Sequence, residues 1–241
     1  MKGIILAGGK GTRLFPLTKA TNKHLLPVGR EPMLFHPIRQ LMGAGMDDIL
    51  VVTSKEHMGD VVNCLGSGVD FACSLTYKVQ EEAAGIADAL GLAEGFARGE
   101  KVCVFLGDNV FQSPIAPMAR KFEAQAQGAR VVLKRVTDPE RYGVAALDEQ
   151  HILEIEEKPK APKSSFAVVG LYFYDNQVFD FIRHAARSER GEYEITTINN
   201  AYIAAKQMQY DIYEGAWTDA GTFESLLEAN KLLTDIGNEI G

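Results

Sequence analysis

The order of short apolar runs and helical patterns is the feature that most limits how this chain can fold. Gly3 to Ala7, Ile49 to Thr53, Ser74 to Val79 and Lys101 to Leu106 read as strands. Helical patterns at Met33 to Ala44, His57 to Leu65 and Gly85 to Ala97 separate them. That alternation predicts βαβ units and a parallel sheet. After Asp108 the strand-like runs Val131 to Val136, Tyr142 to Leu147, Ile152 to Glu156 and Phe166 to Tyr174 have only short, turn-rich connections, which favours antiparallel pairing. Helical patterns follow at Asn176 to Ala186, Ile195 to Lys206 and Phe223 to Ile236, with a strand at Met208 to Tyr213. The apolar stripe of the last helix, Phe223, Leu226, Leu227 and Leu232, reads as core.

The 241 residues are 46% hydrophobic, enough for a sizeable core and too many for a disordered chain. With no repeat and no low-complexity linker, the expectation is one mixed α/β body. The formal charge of −7 argues against nucleic acid as the main partner. No apolar run is long enough to span a bilayer, and Ile4 to Ala7 stops at Gly8-Gly9, so neither a signal peptide nor a membrane anchor is expected. Cys64, Cys73 and Cys103 are odd in number, lack CxxC spacing and read as reduced, buried thiols of a cytoplasmic protein.

In an open parallel sheet, ligands gather at the carboxyl ends of the strands. The first strand runs into Leu6-Ala7-Gly8-Gly9-Lys10-Gly11-Thr12-Arg13, where backbone N–H groups can approach a phosphate closely. This is not a Walker A loop, because Gly9 stands where lysine is required. Nor is it GxGxxG, because Leu14 occupies the third glycine position. A glycine-rich turn alone reads equally as a tight βα connection. Arg13 and Lys23, two cations beside exposed amides, tip the reading toward a polyphosphate cradle.

LAGGKGTRLFPLT (residues 6–18) followed by NKHLLPVGREPM (residues 22–33) resembles the signature of the sugar-1-phosphate nucleotidylyltransferases. Further matches run in the family's order through LGDN (106–109), YGV (142–144), IEEKP (155–159), GLYFYD (170–175), RGEYEIT (190–196) and WTDAGT (217–222). The resemblance implies a Rossmann-like three-layer α/β/α nucleotidyltransferase fold. Its central sheet would be mixed and mostly parallel, with a small antiparallel sugar-binding subregion. It implies a single domain over 1–241, with a nucleotide-binding half at about 1–110 and a sugar-phosphate-binding half at 111–241.

The implied reaction is attack by glucose 1-phosphate on the α-phosphorus of dTTP, giving dTDP-glucose and pyrophosphate. A UTP-using or broad pyrimidine transferase is the nearest alternative, and a catalytically silent nucleotide-sugar sensor is one of a different class. The nucleophile is already an anion, so no general base is needed, and the five histidines offer no nucleophilic triad. Catalysis must come from cations and positioning. Arg13 can hold the triphosphate by forked hydrogen bonds, and Lys23 can act as a point charge near the α-phosphate.

Asp108 follows a strand, where a carboxylate can hold Mg²⁺; the resemblance adds Asp219 as the second acid. Each reads equally well, taken alone, as a turn former. The nucleotide-binding set implied is Leu6, Ala7, Gly8, Gly9, Gly11, Thr12, Arg13, Gln80, Gly85 and Asp108. Gln80 offers a donor and an acceptor that suit thymine and uracil alike.

Glu157 and Lys158 close a strand, where the acid can accept from sugar hydroxyls and the lysine can meet the sugar phosphate. Without the resemblance they read as part of a surface charge cluster, Glu154 to Lys158. Tyr142, Gly143, Val169, Trp217 and Glu192 or Glu194 complete the implied sugar-phosphate set. Thr197 stands where long-form relatives carry an acid. The sequence also ends soon after the helix Phe223 to Ile236, without the added helices of the long forms. A homo-oligomer other than their tetramer, with weak or absent feedback, is therefore expected.

Overall fold

A computed structural model of the chain describes residues 1–238, with side chains through Leu233. Two compact units interleave along the sequence. The first takes residues 2–83, 105–117 and those from 215 onward, and the second takes residue 1 with 84–104 and 118–214. The chain therefore does not divide near residue 110. Its last stretch joins the first unit because Trp217–Asp219 pairs antiparallel with Asn109–Phe111. No helix among the described residues is long and apolar enough to cross a membrane.

In the first unit β1 (Lys2–Ala7), β2 (Asp48–Ser54) and β3 (Ser74–Gln80) pair in parallel, with Gly3 opposite Ile49 and Asp48 opposite Ser74. Ile4 and Ile5 of β1 and Ile49 to Val52 of β2 are fully buried, as strands covered on both faces require. β3 ends the strand order, and its residues alternate between exposed and half-buried up to the buried Gln80. The helices Phe35–Gly43 and Met58–Leu65 make the crossovers. The first packs so closely that a Cβ on Gly3 would lie 2.9 Å from Leu41 Cδ1.

A second cluster joins Leu14, Leu26, Val28, Met33, Val110 and Ala220 to the helix Phe223–Asn238 through Ala229, Leu226, Leu232 and Leu233. Of the apolar stripe expected on that helix, Phe223 and Leu227 are instead 44% and 58% exposed. The buried face follows 226, 229 and 233, which leaves Leu227 turned aside and Phe223 in the first turn.

In the second unit, β4 (Val102–Leu106) lies across the division, with its residues through Val104 here. β5 (Ala129–Arg135), β6 (Gly143–Leu147), β7 (Ile152–Glu157) and β8 (Phe166–Tyr174) pair antiparallel as expected, β8 with β5 and β6, and β6 with β7. β9 (Met208–Ile212) is the exception, lying parallel to β5 after the helix Ile195–Ala204 carries the chain back. The sheet is thus mixed, and the fold is of the α/β class. Tyr174 and Tyr202 stack at 5.7 Å, and Phe122 and Phe173 lie 5.6 Å apart in the core beneath it.

The helix expected over Gly85 to Ala97 breaks at Gly91 into Ile86–Gly91 and Glu94–Ala97. Cys103 is fully buried; Cys64 and Cys73, expected to be buried, are only partly so.

Candidate active site

The glycine-rich loop is built in the first unit. Gly8 and Gly9 follow β1, and each lacks a side chain where a neighbour needs the space. A Cβ on Gly8 would lie 2.7 Å from Gln80 Oε1, and one on Gly9 3.2 Å from Lys23 Cε. Gly11 turns the chain at φ +64, a left-handed conformation that favours glycine, and its carbonyl accepts from Thr18 Oγ1 at 3.0 Å. The Thr12–Leu14 turn then buries Leu14 and leaves Thr12 and Arg13 exposed. So the glycines let Gln80 and Lys23 close on the loop while Arg13 faces outward. Leu6 and Ala7 are buried and contribute backbone alone.

The acids are fixed by the small pair Asn109–Phe111 with Trp217–Asp219. Its register sets Asp219 opposite Asn109, the residue after Asp108. The Ala220 N–H donates to the Asp108 carbonyl at 2.7 Å. Asp108 Oδ2 accepts from Lys23 Nζ at 2.5 Å, and Oδ1 accepts from Asn109 Nδ2 at 2.8 Å. Trp217, expected among the sugar contacts, belongs to this unit, where its Nε1 donates to Asn109 Oδ1 at 2.8 Å. Arg13 lies by the WTDAGT turn: a Cβ on Gly221 would be 3.1 Å from Arg13 Nη2 and 3.5 Å from Asp219 Oδ2.

Burial alone would raise the pKa of Asp108, but the adjacent Lys23 ammonium overrides it and holds the carboxyl well below its usual range. His24 is buried beside the same lysine, and desolvation together with that charge lowers its pKa to about 3. It is therefore neutral near pH 7. Asn22 Oδ1 accepts both the His24 backbone N–H and its ring Nδ1–H, each at 2.8 Å, and so caps the turn Lys23–Leu25 that presents the lysine. The sequence reading passed over Asn22, His24 and Asn109, although all three stand inside its motif strings.

A different group forms in the second unit. β6 and β7 set Gly143 opposite Glu157, and a Cβ on Gly143 would meet Glu157 Oε2 and Thr196 Oγ1 at 3.5 Å. Thr196, which is buried, donates to Glu157 Oε2 at 2.6 Å. The Tyr142 carbonyl accepts from the Lys158 N–H at 2.9 Å. Lys158 itself takes φ +46, and its ammonium lies 3.8 Å from Glu157 Oε1.

Arg190, which also escaped the sequence reading, gathers three acids: Glu157 at 3.7 Å, Glu192 at 3.5 Å and Glu194 at 3.4 Å. Its place at the head of RGEYEIT was the available signal. Ser188 Oγ donates to Glu194 Oε1 at 2.9 Å. Gly85, expected on the nucleotide, lies in this unit, where φ +109 and the Tyr193 backbone, 2.5 Å from any added Cβ, demand glycine. Val169 is fully buried in β8, beside the shift in register between Val168 and Tyr172.

A family model for nucleotidyl transferases matches residues 2–236. Glucose-1-phosphate thymidylyltransferase of Neisseria meningitidis serogroup A is 43% identical over 242 residues, covering 99% of this chain and 84% of that protein. The enzyme of the same name from Mycolicibacterium smegmatis is 42% identical, covering 98% and 83%. Among solved structures, a Bacillus anthracis protein in complex with sucrose superposes with a TM-score of 0.94 at 54% identity, covering 98% of this chain and 96% of that one. A UDP-glucose pyrophosphorylase complexed with UDP-glucose gives a TM-score of 0.84 over 97% and 98% of the two chains; at 24% identity that likeness is one of fold.

Proposed function

Because the chain belongs to the nucleotidyl transferase family, we propose that it transfers a thymidylyl group from dTTP to glucose 1-phosphate, releasing dTDP-glucose and pyrophosphate. The observation that carries this reading is the Lys23–Asp108 pair against the bare Gly8–Gly11 loop. In it a cation, a low-pKa carboxylate and a glycine-rich turn meet where a triphosphate would lie.

The sugar phosphate attacks as an anion, and the chain's task is to bring two polyanions together in line. Loop amides hold the triphosphate, and Arg13 grips it through its guanidinium fork. Lys23, placed by the Asn22 cap, meets the charge that moves onto pyrophosphate. Glu157 accepts from sugar hydroxyls, with Thr196 fixing one of its oxygens. Lys158 and Arg190 are the cations available to the sugar phosphate. We read the two compact units as one catalytic domain, acting in the cytoplasm as a homo-oligomer.

Asp108 and Asp219 suit a magnesium ion. They are hard oxygen donors, Asp219 pairing in register with Asn109, the residue after Asp108, and Asp108 stays ionised. Among the described residues there is no group of three or more His, Cys, Asp or Glu side chains able to form a full cage. An ion held by two acids would complete its shell with phosphate oxygens and water, as magnesium does. Bound there, Mg²⁺ supplies positive charge to the phosphate oxygens.

Gln80 can donate to and accept from the N3–H edge that thymine and uracil share, so the base preference needs an assay. Pyrophosphate release with Mg²⁺ and glucose 1-phosphate should be fastest with dTTP and abolished in Asp108→Ala. Equal rates with UTP would make the enzyme a general pyrimidine transferase. No release with any nucleotide would favour a sensor.

A further inference from the structure

The turn that presents Arg190 is closed around Ser188. The Ser188 carbonyl accepts from the Gly191 N–H at 2.8 Å, and the Ser188 N–H donates to the Glu192 carbonyl at 2.8 Å, so the segment folds back on itself. Its far end is pinned by backbone alone. The Tyr193 N–H donates to the Ala84 carbonyl at 2.7 Å, and the Tyr193 carbonyl accepts from the Ala87 N–H at 3.1 Å. Glu194 follows as the residue that opens the helix Ile195–Ala204.

Inside this frame Ser188 Oγ acts on Arg190 twice. It accepts from the Arg190 backbone N–H at 3.2 Å. It also donates to Glu194 Oε1 at 2.9 Å, the same oxygen that lies 3.4 Å from Arg190 Nη1. One hydroxyl therefore holds both ends of the arginine, its main chain directly and its guanidinium through a carboxylate. The Glu194 side chain is 12% exposed, whereas Glu192 and Glu157, the other acids near this guanidinium, are 37% and 26% exposed and lie farther off, at 3.5 Å and 3.7 Å. The acid that Ser188 fixes is thus the nearest and the most enclosed of the three.

We propose that Ser188 is a positioning residue for the sugar phosphate, holding Arg190 in the direction from which it meets that group. The proposal rests on the reading of Arg190 as a cation of the sugar-phosphate side. A long side chain on an exposed turn loses freedom when it closes on a ligand, and a contact that has restricted it beforehand lessens that cost. A guanidinium also needs direction, because its planar fork engages a phosphate through two parallel hydrogen bonds. Ser188 acts through Arg190 and Glu194 and needs no contact with substrate of its own.

Steady-state pyrophosphate release, with dTTP and glucose 1-phosphate each varied, tests this in Ser188→Ala, Ser188→Thr, Arg190→Ala and the double variant Ser188→Ala/Arg190→Ala. Ser188→Ala should raise the KM for glucose 1-phosphate about tenfold, with kcat and the KM for dTTP within about twofold of the wild type. Ser188→Thr keeps the hydroxyl and should restore the KM. Where Arg190 is already alanine, the loss of the serine hydroxyl should add less than about twofold, because the group it positions is gone. With turnover in the wild type, a KM unmoved by Ser188→Ala, the same rise on both backgrounds, or a rise shared by both substrates would overturn the positioning role alone. No release by the wild type would overturn the transferase reading, and this proposal with it.

Discussion

The two units hold, in different ways, the side chains proposed to act. In the first, the chemistry-bearing groups are locked: Lys23 and Asp108 are bonded to each other, Asn109 and Trp217 brace the acid, and Asn22 caps the turn behind the lysine. In the second, Glu157 has one oxygen fixed by the buried Thr196, while its other oxygen faces Lys158 and Arg190, whose side chains are 49% and 45% exposed. Exposed ion pairs of that length contribute little and exchange readily for a ligand. Charge stabilisation in a transition state rewards groups that need no reorganisation, whereas selecting a sugar needs acceptors that a hydroxyl can claim. The contrast suits a division of labour between phosphate chemistry and sugar selection.

The largest effect expected is at the locked pair. Lys23→Met should lower kcat by about a thousandfold, with the KM for glucose 1-phosphate near that of the wild type, as single-turnover and steady-state kinetics would show. A mere rise in KM would mean that Lys23 only binds.

The next concerns acid. His24 has its pKa lowered from 6.5 to about 3 in the fold, so the unfolded chain takes up the proton first. Its contribution to stability is complete above the unfolded value and falls as the pH drops from about 6.5 toward about 3. Between pH 7 and pH 5 the loss is about 2 kcal/mol by linkage. Urea melts should show a loss smaller by that amount in His24→Gln than in the wild type, since His36, whose pKa burial also lowers, remains. A wild-type protein insensitive to this change would break the picture of a desolvated histidine behind the locked lysine.

On the sugar side, Thr196→Val should raise the KM for glucose 1-phosphate about tenfold while sparing that for dTTP, and Thr196→Ser should restore it. The smallest effect belongs to Gly221→Ala. The added methyl, 3.1 Å from Arg13 Nη2, displaces only the tip of a flexible side chain, and the KM for dTTP should rise by about threefold.

The parts legible in the sequence were those with a local cause. β1 and β2 announce themselves as buried apolar runs, and Gly8 to Gly11 as a glycine-rich loop. The return of residues 217–219 to the neighbourhood of Asp108 was not legible, because three-residue strands carry no periodicity and their pairing spans half the chain. The helix Ala116–Ala124 was also missed; Pro117 stands in its first turn, where proline is tolerated. Arg190 and Thr196 lay inside a quoted motif, yet only the register of β6 with β7 and the helix beside it shows both meeting Glu157. The bond from Trp217 to Asn109 was likewise not legible, because a motif gives order without partners.

The division between the units is tested most directly by steady-state kinetics of Lys23→Met and Glu157→Gln with both substrates varied. The account predicts that Lys23→Met loses kcat with little change in either KM, and that Glu157→Gln raises the KM for glucose 1-phosphate while the KM for dTTP stays put. A loss of kcat in Glu157→Gln as deep as that in Lys23→Met, with no change in the KM for the sugar phosphate, would contradict it.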